Sequence, residues 1–397
     1  MKTVKTYLLP FLILISALGC NTLYNTKTIN IEVLEPGKVK FPDDYSRIAL
    51  RYNNTNVAYN PKYSFYFNNN DKITDTGNLD SVASWVYFDY VLQSLRKEQT
   101  LDTVMELAAA DYSTIQVNDS LPLPEEFKQD SVDFENENSG KLYSYVISRY
   151  LKYNPPAQKE SAVLKNLDPQ NGLYTSKELE EIADSTGADL LFSLDHFVTQ
   201  NAIVKTDDQS YIEELVLVNA FWTTFDLRKK QLVRLFQKSD TIIWDNFYTP
   251  GSDPFKLLPP RRDAVLNASD MAGTNFAAYL SPHWINVERF YYRSGHVELK
   301  KTNKLVEEGK WMEAAQIWKQ QVNNPNKSIA AKCMFNLALA NEMTGDLASA
   351  LDWVVQSYHV FGEKNDLHAE NCRAYIQLLA QRRINKGLLD DFFNIQE

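Results

Sequence analysis

The body of the chain opens with alternating apolar and polar positions. Ile29, Ile31 and Val33 are apolar and the residues between them are polar, which is typical of a half-buried β-strand. A second apolar run over residues 48–52 predicts another strand. Residues 53–75 are rich in Asn and Tyr and have little periodicity, so we expect a loop there with a short strand at most.

Helical periods follow. Apolar residues from Val82 to Leu95 fit one broad helical face, with Asp80 or Ser81 as the N-cap. The pattern predicts that residues 101–110 continue as helix. Further along, we expect a short strand, an acidic loop and another helix over residues 114–117, 121–137 and 142–151 respectively.

The clearest local unit begins at Thr175. Thr175 and Glu178 are spaced as a capping box, in which each side chain satisfies a backbone N–H of the other residue. Gly187 is placed to end the helix in the left-handed conformation. Residues 190–194 are then apolar without alternation, which predicts a strand that is covered on both faces.

Two long apolar segments, residues 215–227 and 231–244, are separated by three basic residues and predict a long hairpin. A helix over residues 260–280 follows, with Pro260 near its first turn. Strands interleaved with helices indicate an α/β or α+β domain with a mixed sheet over residues 29–285.

The C-terminal segment, residues 296–397, carries an internal repeat. Gly309 and Gly345 each precede a segment in which small Ala residues recur where helices would cross. This spacing resembles the tetratricopeptide repeat, whose helix pairs stack on their neighbours. A helix over residues 367–383 and a shorter one over 384–393 fit a degenerate third unit or a cap. The alternative is an ordinary helical bundle with a chance spacing.

The resemblance to the tetratricopeptide repeat implies a peptide or protein partner on the concave face. One subfamily clamps a carboxylate with Asn and Lys side chains, and Asn303 and Asn336 match inner-helix positions of that clamp. They are our candidate partner-binding residues. Leu299 stands where the clamp has a Lys, so the match is incomplete. The alternative is that both Asn side chains lie on a solvated helix face.

Residues 1–19 have the layout of a secretory signal peptide. Lys2 and Lys5 precede an apolar stretch too short to cross a bilayer, and a small residue precedes Cys20. This arrangement resembles a bacterial lipoprotein signal, which implies that Cys20 is the acylated first residue of the mature chain. Residues 20–28 would form a lipid-anchored tether. An ordinary signal peptide, or a membrane anchor with an incidental Cys20, is the alternative.

Composition indicates an ordinary folded protein with an acidic surface. The 397 residues are 44% hydrophobic and 23% charged, with a formal net charge of −10. That balance disfavours a nucleic-acid partner, because such binding needs clustered Lys and Arg. After Cys20 the only cysteines are Cys333 and Cys372. They form either one disulfide or two buried thiols, and we favour the thiols.

Motifs for catalysis, metal binding or cofactor binding are not recognisable. The sequence has neither an H-E-x-x-H arrangement nor a cysteine pair with zinc spacing. His368 and Cys372 are one helical turn apart but supply only two ligands. Asp195 and His196 end a predicted strand, where α/β enzymes often place catalytic groups, yet a structural pair is the simpler interpretation. The aromatic residues in 52–67 are either a stacking surface for sugars or peptides or ordinary strand residues. We predict no cofactor, no metal and no enzymatic activity.

Signal, α/β domain and repeats together resemble an uncharacterised family of tetratricopeptide-bearing lipoproteins from Gram-negative envelopes, with no assigned activity. We expect a lipid-anchored scaffold or adaptor on the outer membrane, facing the periplasm, that binds a protein or peptide partner through the repeats. The alternatives are a glycan- or peptide-binding lipoprotein that uses the α/β domain and a hydrolase with an unrecognised site.

Overall fold

The computed structural model describes most of the chain after the predicted signal. The described residues are 25–42, 44–53, 65–68, 71–74, 79–107, 174–206, 210–362 and 365–394. Cys20 and the elements predicted over 114–117, 121–137 and 142–151 lie outside them.

Nine strands and eight α-helices are found in the described part of the chain. In chain order they are β1 (Thr26–Glu35), β2 (Arg47–Tyr52), β3 (Phe65–Asn68), β4 (Asp71–Thr74), α1 (Leu79–Glu98), β5 (Thr103–Leu107), α2 (Ser176–Thr186), β6 (Leu190–Thr206), β7 (Tyr211–Asp226), β8 (Gln231–Phe247), α3 (Arg261–Leu280), β9 (His283–Tyr292), α4 (Val297–Glu307), α5 (Trp311–Lys319), α6 (Lys327–Met343), α7 (Leu347–Phe361) and α8 (Asp366–Phe392). They divide into two compact units: residues 37–281, the α/β unit, and residues 25–36 with 282–394, the helical unit.

Strand β6 is at the centre of a seven-stranded mixed sheet in the α/β unit. One edge of β6 pairs in parallel with β2 near its start and with β3 near its end, and the other edge pairs antiparallel with β7. β5, β4 and β8 extend the sheet beyond β2, β3 and β7 respectively. The predicted mixed sheet and the long hairpin, now β7 and β8, are confirmed.

Both faces of β6 are covered, which explains its non-alternating start. Leu191 packs in a buried cluster with Leu179 and Ile182 of α2. The ring of the next residue, Phe192, stacks near Phe236 on β8, with 6.3 Å between the ring centroids. Successive side chains of a strand point to opposite faces, so both faces of β6 carry apolar contacts.

Helix α2 begins and ends as its sequence predicts. The Thr175 hydroxyl accepts the N–H of Glu178 at 3.2 Å, and the Glu178 carboxylate accepts the N–H of Thr175 at 2.7 Å. Gly187 follows in the left-handed conformation, with φ of 63°. Helix α1 begins one residue before the predicted caps, and the Asp80 carboxylate accepts the N–H of Thr199 on β6 at 3.1 Å.

The helix predicted over residues 101–110 is wrong, because residues 103–107 form strand β5. β5 pairs in parallel with β2, from Arg47 opposite Thr103 to Arg51 opposite Leu107. Local spacing of apolar residues does not reveal this pairing, since the partner strand is distant in the chain.

The helical unit combines a two-stranded antiparallel sheet with the helices α4 to α8. All ten residues of β1 lie opposite residues of β9, from Thr26 opposite Tyr292 to Glu35 opposite His283. Each helix from α4 to α8 packs against the next one in the chain. None of the described helices combines the length and the apolar content that crossing a bilayer requires.

Three boundaries differ from the sequence-based expectation. Because β1 pairs with β9, both strands group with the helices instead of with the predicted domain over residues 29–285. β1 begins at Thr26, so the last residues of the predicted tether are strand. The two helices predicted over 367–383 and 384–393 are one continuous helix, α8.

Candidate functional site

Asn336, a predicted partner-binding residue, is buried on α6 against strand β9. Its Oδ1 accepts the backbone N–H of Tyr292 at 2.8 Å, and its Nδ2 donates to the carbonyl of the same residue at 2.8 Å. The amide thereby satisfies both polar groups of a strand residue, as a neighbouring strand would. In this arrangement Asn336 fixes the end of β9 and presents no surface to a partner.

Asn303 lies beside the same end of β9. Its Nδ2 donates to the carbonyl of Arg293 at 3.3 Å, whereas its Oδ1 is buried and has no hydrogen-bond partner among the described residues. Leu299, at the position where a carboxylate clamp has a Lys, is fully buried in the core of the helical unit. The structure therefore brings the two predicted Asn residues together, but around the backbone of their own chain.

A pocket of about 310 Å³ opens next to this end of β9. Its apolar wall comes from Phe290, Phe361 and Leu367. Ser328, Lys332 and Asn371 are on its polar side, together with Tyr292 and His368. The volume is near the lower end of the range that ligand pockets occupy.

Tyr292 and His368 belong to a buried chain of hydrogen bonds under the pocket. The Ser357 hydroxyl donates its one hydrogen to the carbonyl of Ala331 at 2.7 Å, so it accepts from His368 Nε2 at 3.0 Å. Nδ1 of the neutral ring then carries no hydrogen and accepts the hydrogen bond from the Tyr292 hydroxyl at 2.8 Å. The Tyr292 oxygen in turn accepts from Asn371 Nδ2 at 3.2 Å. Each group therefore donates to the next in one direction, from Asn371 through Tyr292, His368 and Ser357 to the carbonyl of Ala331.

Burial sets the protonation state of these two groups. It lowers the pKa of His368 to about 4, so the imidazole is neutral at pH 7. It also raises the pKa of Tyr292 to about 12, so the phenol keeps its hydrogen. The pocket therefore gains no charge from either residue.

Lys332 supplies the positive charge of the pocket. Its side chain is half-buried, and burial lowers its pKa. The ammonium lies 5.6 Å from the centroid of the Tyr292 ring, a cation–π distance. Among the residues that the structure describes, no carboxylate lies within 4 Å of this ammonium.

A buried ionic cluster fixes the elements that frame the pocket. The Glu342 carboxylate on α6 accepts from Arg289 of β9 at 2.9 Å, and from Tyr375 and Arg382 of α8 at 2.6 and 2.5 Å. Burial alone would raise the pKa of Glu342, but these hydrogen bonds hold it below its usual range. Since the three elements share one carboxylate, their relative positions are tightly coupled.

The two cysteines are free thiols, as the favoured interpretation predicted. Burial raises the pKa of Cys333 to about 12 and that of Cys372 to about 11. Cys372 Sγ lies 3.5 Å from His368 Nε2, but both groups are buried and uncharged at pH 7. Within the described residues, no group of three His, Cys, Asp or Glu side chains is placed to hold a metal ion.

Asp195 and His196 have different surroundings in the α/β unit. Asp195 lies at a bulge of β6, where its carboxylate accepts from Ser193 Oγ at 2.7 Å and from the Thr223 hydroxyl. Burial raises the pKa of Asp195 to about 6. The His196 ring packs near Phe221, and burial lowers its pKa to about 4. These contacts are those expected of buried structural residues.

The aromatic stretch over residues 52–67 falls largely outside the described side chains. Its first member, Tyr52, is buried and stacks on Trp85 of α1 with 3.8 Å between the ring centroids. Tyr52 therefore belongs to the packing between sheet and helix.

Sequence reasoning missed the pocket. Lys332, Tyr292 and Asn371 are far apart in the chain and belong to no motif, so no local signal marks them. They meet because β9 lies against α6 while α8 packs on α7. The repeat pattern pointed to Asn303 and Asn336, which belong to the same unit but do not line the pocket.

Two family models match parts of the chain. Domain of unknown function (DUF8603) matches residues 164–292, and domain of unknown function (DUF6340) matches residues 300–381. No model of a lipoprotein or tetratricopeptide family is among the matches. No curated protein matches the chain. The pocket draws side chains from both matched regions.

Proposed function

We propose that this protein is a lipid-anchored, non-enzymatic adaptor of the cell envelope that holds a protein partner through its helical unit. The observation that carries the proposal is the pocket that contains Lys332. It combines an apolar wall with an ammonium that no carboxylate of the described residues pairs with. Such a combination of apolar surface and few polar groups is common in binding sites.

The helix arrangement supports an interpretation as tetratricopeptide-like repeats. Gly309 and Gly345, with φ of 71° and 82°, lie in the turns between α4 and α5 and between α6 and α7. The left-handed backbone favours glycine at both turns. We infer that α4–α5 and α6–α7 are two units and that α8 is the cap.

The position of β9 supports a docking site in the pocket. In tetratricopeptide-like units the first helix of each pair faces the binding groove, and here the Asn336 side chain of such a helix is bound to β9. We therefore assign the partner to the neighbouring pocket, whose rim includes the half-exposed Leu367.

The predicted anchor would keep this pocket near a membrane. Asn25, which lines the pocket, is five residues after Cys20. A fully extended segment of that length spans at most about 18 Å. If Cys20 is acylated, a partner of the pocket is therefore a membrane-associated or membrane-proximal protein.

Site-specific photocrosslinking in living cells tests the proposal. A photoreactive phenylalanine replaces Leu367, which is 48% exposed, and in a control cell line it replaces Met312 on α5, which is 62% exposed. We expect a protein adduct at position 367 that is absent at 312 and that decreases when Lys332→Gln is added. Equal adducts at both positions, or none at 367, would contradict the proposal.

A further inference from the structure

We propose that the pocket recognises a carboxylate that carries a compact apolar group. Lys332 would bind the carboxylate, while Phe290, Phe361 and Leu367 contact the apolar part. This inference rests on the proposed function, since it names the chemical group that a docked partner presents.

The charge of Lys332 is the first argument. A half-buried ammonium loses part of its hydration, and proteins usually offset that loss with a carboxylate. Here the Lys332 ammonium lies 5.6 Å from the centroid of the Tyr292 ring, and among the described residues no acidic group pairs with it. An anion that enters the pocket would supply the missing partner.

The number of charges favours a carboxylate over a phosphate. His368 is no second cation, because its Nδ1 accepts the Tyr292 hydroxyl and its Nε2 donates to Ser357. The other polar residues that line the pocket, among them Ser328 and Asn371, are neutral. One ammonium balances a single negative charge, whereas phosphate sites usually gather more than one positive group or an Arg fork.

The apolar wall limits the size of the attached group. Two aromatic rings and one aliphatic side chain line a volume of about 310 Å³, enough for roughly one large apolar side chain beside the carboxylate. The Phe290 ring is held in place by stacking on Phe335, with 5.0 Å between the ring centroids. A wall that is already ordered reduces the conformational entropy lost on binding.

Calorimetric titration of the mature chain tests the inference. The probes are N-acetylphenylalanine and a hexapeptide that ends in Phe, each as the free acid and as the C-terminal amide. We expect the acids to bind roughly tenfold or more tightly than the amides, because a charge-assisted hydrogen bond is lost in the amide.

Two variants of Lys332 and one control variant make the test specific. Lys332→Gln should abolish the preference for the acid, and Lys332→Arg should retain most of it. Lys319→Gln removes the same charge from an exposed position on the same unit and should bind like the wild type. Circular dichroism of each variant checks that the fold is intact.

The outcomes separate this inference from the proposed function. Tight binding of the peptide acid alone would identify a chain terminus as the source of the carboxylate, and equal binding of N-acetylphenylalanine would identify a free organic acid. Equal affinities of acids and amides, or no binding of any probe, would overturn the inference. A Lys332-dependent adduct at position 367 would still support protein docking in that case.

Discussion

At the scale of single residues, the helical unit contains two buried polar groups, His368 and Glu342, whose side chains are hydrogen-bonded on every side. The surroundings of His368 define its tautomer, because the hydroxyls of Ser357 and Tyr292 fix which ring nitrogen carries the hydrogen. The surroundings of Glu342 keep its carboxylate charged, because two arginines and one tyrosine donate hydrogen bonds to it. Such networks specify one arrangement of their elements when every member is satisfied.

The lowered pKa of His368 predicts a dependence of stability on pH. Its pKa is about 4 in the fold and near 6.5 in the unfolded chain, so the unfolded state takes up the proton first on acidification. The stabilisation from the neutral ring is complete above pH 6.5 and is lost as the pH falls towards 4. The loss amounts to about 3 kcal/mol at most.

Urea unfolding of wild type and His368→Gln at several pH values measures this effect. The destabilisation caused by His368→Gln should be larger at pH 7 than at pH 4.5. It is the difference in free energy of unfolding between wild type and variant at one pH, so contributions of other titrating groups, such as Asp195, cancel. His359→Gln, which removes an exposed imidazole from α7, is the matched control variant. A destabilisation by His368→Gln that stays constant over this range would contradict the assignment.

At the scale of elements, the sequence predicts those whose signals are local. The capping box of α2, the apolar start of β6 and the hairpin of β7 and β8 are all visible in consecutive residues. Strand β5 is not, because a parallel partner distant in the chain decides its conformation. The pocket cannot be predicted from the sequence for the same reason, because its walls meet through the packing of β9, which pairs with β1, against α6.

The contact between α1 and α3 gives a prediction for Gly273, for which Gly387 on α8 is the comparison. A Cβ on Gly273 would lie 2.5 Å from the carbonyl oxygen of Tyr87, so the two helices approach closely there. Gly273→Ala should destabilise the protein by about 1–3 kcal/mol despite the better helix propensity of Ala. Gly387 on α8 has nothing within 4 Å of such a Cβ, and Gly387→Ala should stabilise by about 0.5–1 kcal/mol.

Denaturant unfolding of the two glycine variants gives the comparison. The two substitutions add the same methyl group to a helix, so opposite signs isolate the effect of packing. Stabilisation by both would mean that α1 and α3 are farther apart than described.

At the scale of the whole molecule, the order of the elements along the chain differs from their grouping into structural units. The first described strand pairs with the ninth, so the helical unit contains the segment closest to the predicted anchor. If Cys20 carries a lipid, as proposed above, the anchor is attached to the unit that contains the pocket. The sequence-based expectation placed the α/β domain, residues 29–285, directly after the tether.

Acylation of Cys20 is the testable premise of that inference. Cys20→Ala should abolish incorporation of a labelled fatty acid and release the protein from washed membranes. The fold should not change, because Cys20 precedes the first described strand. Circular dichroism checks the fold, and persistent labelling of the variant would show that Cys20 is not the acylated residue.

Hydrogen exchange of the full chain, with and without the partner captured at position 367, tests the central claim most directly. Docking at the pocket predicts slower exchange in residues 326–334 and 365–372, which supply its polar side, and unchanged exchange in the hairpin of β7 and β8. The same comparison with Lys332→Gln should show weaker protection. Slower exchange confined to the hairpin, with no change around Lys332 and His368, would contradict the claim.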